Sequence, residues 1–234
     1  MERKRSTMVL ALVAVMAAAT PTRAQNPPTP YATMAPVDEY LMPNRTDEIA
    51  LARSAAPPSI SNHAEVMVLG RHGYEVAVPG TNGFVCTVER SWNSPIGAPE
   101  FWNPKLRGPD CLNQAAAKSY LPIVLMRARL ALAGDSEAQI DKAMQAAFNQ
   151  KKLPPLEPGA MSYMLSKQGY LNDRALNWHP HLMFFVPIAM SKTWGANLPG
   201  SPLLASDDVS DHLTIFMIPV ARWSDGTADS RARN

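Results

Sequence analysis

Two cysteines place the tightest constraint on this chain. Cys86 and Cys111 are its only cysteines, and no C-x-x-C spacing occurs. In an exported protein such a pair predicts a disulfide. Closing a loop of about 25 residues stabilises a fold by about 3.5 kcal/mol in the chain-entropy picture. The competing reading is a two-cysteine metal or redox site, which normally uses closer spacing.

The N-terminus predicts export. Arg3, Lys4 and Arg5 precede an unbroken apolar run from Met8 to Ala19, and Thr22-Arg23-Ala24 puts small residues where a signal peptidase reads. That run reaches only ~18 Å as a helix, short of the ~30 Å hydrocarbon core. Residues 1–24 are therefore expected to be a cleaved signal peptide. The mature protein would be periplasmic or extracellular, with no transmembrane segment left. The charge balance shifts with cleavage. The full chain has 22 Lys+Arg against 20 Asp+Glu, and loss of Arg3, Lys4, Arg5, Arg23 and Glu2 leaves 18 against 19. Such a near-neutral chain lacks the basic footprint of a nucleic-acid binder, so no nucleic-acid partner is expected.

Periodicity then divides the mature chain. Residues 25–43 are proline-rich, and Gln25 to Pro36 predicts an extended, poorly ordered tether. Residues 44–224 read as a single α+β domain, and 225–234 as a polar tail. Asn44 is a helix cap with Asp47 and Glu48 in the first turn, and Pro57-Pro58 is a stop. Strands are expected at Glu65–Leu69, Tyr74–Val78 and Phe84–Arg90, joined by two glycine turns that both read as hairpins. Cys86 falls on the inner face of the third strand. Ser91 to Leu112 shows no period and reads as a long loop pinned by Cys111. A helix opens at Leu121-Pro122 and ends at Gly134, and Ser136 with Gln139 makes a capping box for another. Ala160 to Lys167 reads as a short helix. Strands follow at His181–Pro187 and Leu213–Ala221. The order is β-β-β-α-α-β-β: a largely antiparallel sheet with helices packed on one side. PAS and profilin-like folds share that order.

The chemistry-bearing residues cluster around "NWHPHLMFFVP", Asn177 to Pro187. Along a strand His179, His181, Met183 and Phe185 share a face, and histidines two apart lie about 6.7 Å from each other. That spacing suits zinc, and addition of Met183 would suit copper. A third ligand would have to come from His212, His72, His63 or a carboxylate. His212 heads "HLTIFMIP", a close echo of "HLMFFVP". Parallel strands would bring the histidines together, and antiparallel strands would part them. The plainer reading is that His179 and His181 sit at the rim of a buried strand, satisfied by carbonyls or water. The five tryptophans, 92, 102, 178, 194 and 223, lie outside the strands and long helices. They read either as a flat platform for a ligand or, more simply, as loop anchors. The chain has no G-x-S-x-G, no S-x-x-K and no phosphate-cradling glycine loop.

The strings "GTNGFVC", "RGPDC", "GAMSYMLSKQGYL", "WHPHLMFFVP", "WGANLPGSP" and "RWSDGT" resemble those of a family of exported bacterial proteins to which no activity is assigned. The resemblance covers most of 45–227 and implies export and a single unit. Three functions are carried forward. The first is non-catalytic small-molecule binding around Trp178, His179 and His181. The second is a zinc or copper protein, or a metalloenzyme, using His179, His181 and His212. The third is an envelope module that meets another protein.

Overall fold

The computed structural model describes residues 30–174 and 176–230. The expected signal peptide lies outside the described residues.

The alternating segments form β1 (Glu65–Gly70), β2 (Gly73–Val78) and β3 (Val85–Glu89). Only the first glycine turn is a hairpin. β1 pairs antiparallel with β2 but parallel with β3, so the chain crosses over between β2 and β3. Gly80 makes that crossing: a Cβ there would stand 2.1 Å from the Glu65 backbone nitrogen. β4 (Gly108–Leu112) then pairs antiparallel with β3, with Cys86 directly opposite Cys111. The disulfide forms there and staples two adjacent strands.

β5 (Met161–Met164), β6 (His181–Pro187), β7 (Leu204–Asp208) and β8 (Leu213–Pro219) complete one eight-stranded sheet, ordered β2-β1-β3-β4-β5-β6-β8-β7. Apart from β1 with β3, every pairing is antiparallel. The α+β class is as expected, but three strands are additional. β4 lies inside the stretch read as a loop. β5 replaces the expected helix at Ala160–Lys167, because pairing of Ser162 with Leu112 and Met183 outweighs the local pattern. β7 is an acidic edge strand, a usual protection of an exposed edge.

Helices cover both faces rather than one. α1 (Arg45–Arg53) is capped by Asn44, whose side chain accepts from the Thr46 N–H at 2.8 Å. α1 has ended before Pro57-Pro58, and Pro58 opens a separate short helical turn, α2 (Pro58–Ser61). Ala52 and Ala55 pack with Val66, Cys86 and Val88 on one face. On the other face α3 (Gln114–Ser119), α4 (Leu121–Leu132) and α5 (Glu137–Asn149) pack over the alternate residues of the sheet, with the Ser136–Gln139 capping box in place. Tyr120 stacks on Phe185 at 3.9 Å in that layer. Residues 25–29 of the expected tether lie outside the described residues, and the chain that follows them is packed down. Tyr40 is fully buried, and its hydroxyl donates to the Trp102 carbonyl.

Among the described residues no helix is long and apolar enough to cross a membrane.

Candidate functional site

β6 and β8 are the two look-alike strands, and they are antiparallel neighbours. His181 stands opposite Pro219, whereas Pro187 stands opposite Leu213. His212 therefore lies at the far end of the pair from His181, and the three histidines do not converge. Among the described residues no three His, Cys, Asp or Glu side chains are grouped to hold a metal. His63 and His72 are exposed, in the connection before β1 and in the β1–β2 turn.

The His181 end is packed shut. His181 is buried, and its Nδ1–H donates to the His179 carbonyl at 2.7 Å. Burial lowers its pKa below the usual histidine value. His179 Nδ1 lies 2.5 Å from Asp229, a carboxylate only 3 % exposed. Asp229 belongs to the segment read as a polar tail, which instead turns back over this end through the Asp229 N–H to Ala221 carbonyl bond. The Trp178 ring packs edge-on against His181 at 4.7 Å. The cavity left beside Trp178 and His181 measures about 20 Å³. That cavity has room for about one water.

The His212 end is open. A groove of about 560 Å³ runs between the N-terminal turns of α4, the C-terminus of α5 and the chain after it. Its walls are apolar: Ile123, Phe148, Leu153, Leu156 and Pro187. Lys151, Asp211 and His212 supply its polar groups. The His212 ring stacks on Phe148 at 4.5 Å, and its Nε2 lies 2.8 Å from Gln145 Oε1. Lys151 and His212 both hold left-handed backbone, at φ 54° and 55°. Such strained conformations persist where surrounding structure imposes them and are common at ligand clamps. Asp211 is tied to the buried Arg127 at 3.0 Å. Burial nonetheless pushes the Asp211 carboxyl up to about 6.

Sequence reasoning selected His212, but as a metal ligand, and read Lys151–Gly159 as a mere connector. A groove between separate elements has no local signature. The tryptophans mostly follow the plainer reading: Trp92, Trp102 and Trp223 are buried. Trp194 is half exposed and stacks on Phe216 at 4.4 Å, covering the sheet face away from α4.

Sequence reasoning also missed a buried carboxyl pair, Glu89 and Asp110. Thr87 faces Asp110 and Glu89 faces Gly108 across β3 and β4, so all four share one face of the sheet. Desolvation raises both carboxyls, Asp110 to about 7. Comparison with family models, curated proteins and solved structures finds no match for this chain.

Proposed function

We propose that this is an exported, non-catalytic binding protein for a small, largely apolar molecule with an anionic end. The observation that carries the reading is the groove at the head of β8. Its volume of about 560 Å³ falls within the ~300–1,000 Å³ typical of ligand pockets. Five apolar side chains would hold the body of the ligand. Lys151 at the rim would meet the anion, since the nearby Asp211 already has Arg127 as its counter-charge. The disulfide is compatible with a periplasmic or extracellular location.

The test is a titration with an apolar sulfonate fluorophore, followed by competition with a medium-chain carboxylate. Saturable one-to-one binding is expected. Leu156→Asp, which sets a negative charge in the groove wall, should weaken it about tenfold, and Lys151→Gln severalfold. His179→Ala, at the closed end, should leave it unchanged. A flat titration, or equal losses in Leu156→Asp and His179→Ala, would overturn the proposal.

A further inference from the structure

The buried acids of this molecule differ in how they are satisfied. Glu48 is fully provided for: its Oε1 accepts from Arg90 Nη2 at 2.8 Å and from the Leu69 N–H at 3.1 Å. Glu89 and Asp110 are not. Asp110 is completely buried, and no hydrogen bond of good geometry reaches either of its carboxyl oxygens or Glu89 Oε1, although Ser162, Glu89 and the Cys111 N–H lie close enough to Asp110 to act on it. Arg127, whose charge acts on Glu89, hydrogen-bonds the Trp92 and Ser94 carbonyls and pairs with Asp211, and its Nη2 makes no hydrogen bond of good geometry. Burying charge without a partner is costly enough that something must compensate it.

Two further groups point to what that is. Thr87 Oγ1 and Ser162 Oγ are fully buried and also make no hydrogen bond of good geometry. Thr87 stands directly opposite Asp110. Ser162 pairs with Leu112, two residues along β4 from Asp110, so its side chain joins the same face. The result is a cluster of oxygens on three adjacent strands, in which Ser162 and Glu89 interact with Asp110 and the charge of Arg127 reaches Glu89. A cleft of about 180 Å³ leads to Glu89. Gly108, opposite Glu89, lines it, and a Cβ there would be in ordinary contact with Met164 at 3.4 Å and Glu89 at 3.7 Å. Asn93 lines the same cleft, and its amide oxygen and nitrogen are buried without partners.

We propose that Glu89, Asp110, Thr87 and Ser162 form a binding site for one hard divalent cation of the calcium type, reached through the cleft past Asn93. Hard cations take carboxylate, hydroxyl and amide oxygens, and calcium tolerates irregular sets of them. Two carboxylates balance a charge of two. The hydroxyls, which are acceptors as well as donors, complete the set with water from the cleft. Softer metals such as zinc and copper would favour nitrogen or sulfur, which this set lacks. Burial raises both carboxyls, so protons compete with the cation, and binding should release protons and weaken on acidification.

The experiment uses the full mature chain after chelator treatment, at about pH 8, above the value of about 7 for Asp110. Calcium and magnesium are titrated by calorimetry, and the thermal midpoint is followed in parallel. Calcium should bind one to one with a Kd of about 1 mM or tighter and raise the midpoint. Asp110→Asn should lose the calcium response while melting no lower than the metal-free parent, because it removes an uncompensated buried charge. Glu89→Gln and Ser162→Ala should each weaken binding about tenfold or more. Absence of heat and of any midpoint shift with either ion up to about 10 mM, a range that covers weak calcium modules, would overturn the proposal. So would a calcium response that survives in Asp110→Asn, or, if that variant does not fold, in both of the others.

Discussion

The β6–β8 pair has two ends that begin alike and finish differently. Each strand opens with a histidine followed by leucine and an apolar run to a proline. At the His181 end, Trp178 and the returning segment with Asp229 close the mouth to about 20 Å³. At the His212 end the chain after α5 stands off and leaves about 560 Å³. Equal strand sequences therefore do not give equal sites. What decides is which later segment reaches each mouth, and antiparallel pairing sends the two mouths to opposite sides of the sheet.

The largest effect should come from the part that both ends share. Phe185 is 2 % exposed and stacked on Tyr120 midway along β6. Phe185→Ala should cost about 3–5 kcal/mol in denaturant unfolding and weaken both ends together. A loss confined to one end, seen by hydrogen exchange, would break the picture of a single shared strand pair.

pH should separate the ends. Asp211 has its folded pKa raised to about 6, above the ~3.9 of an unfolded chain, so its contribution is present at low pH and is lost as pH rises through that window. His181 is held below its ordinary value, so its contribution is present above ~6.5 and is lost as pH falls below it. Asp110, raised to about 7, acts in the same sense as Asp211 in metal-free protein. From pH ~7 to ~5, amide exchange should speed up around His181 and slow around Asp211. Movement of both ends in the same direction would contradict the assigned environments.

Asp229→Asn should act at the closed end alone. Replacing the buried carboxylate beside His179 should cost about 1–2 kcal/mol of unfolding free energy, measured by denaturant titration, and leave groove affinity within about twofold. The smallest stability effect is expected at the open end. Leu156 is only partly buried, so Leu156→Asp should change unfolding free energy by less than about 1 kcal/mol despite its effect on binding.

Legibility in the sequence follows the range of the interaction. Local signals were sound: the Asn44 cap, the Ser136–Gln139 box and the alternation through Cys86 all reappear in the fold. Misreadings arose where a partner strand decides. Met161, Met164 and Leu165 have helical spacing, yet β4 and β6 draw the segment into the sheet. Ser91 to Leu112 shows no period and reads as a loop, yet β4 forms at its end; Pro109 is tolerated there because at that position β4 is paired with β3 only and has no ladder toward β5 to interrupt. The alternation around Cys86 set Thr87 and Glu89 on an outer face. β3 is instead buried on both faces, so the acid pair was hidden by a correct period. Disulfide register offered the missing clue: if Cys86 faces Cys111, Asp110 must face Thr87.

The difference between the two ends is tested most directly by amide chemical-shift mapping of the isotope-labelled protein with a medium-chain carboxylate. Saturable shifts should gather at Phe148, Lys151, Leu156 and His212, which line or frame the open groove. Trp178, His179 and His181 should stay still. Shifts centred on Trp178–His181, or none at saturating ligand, would contradict the account.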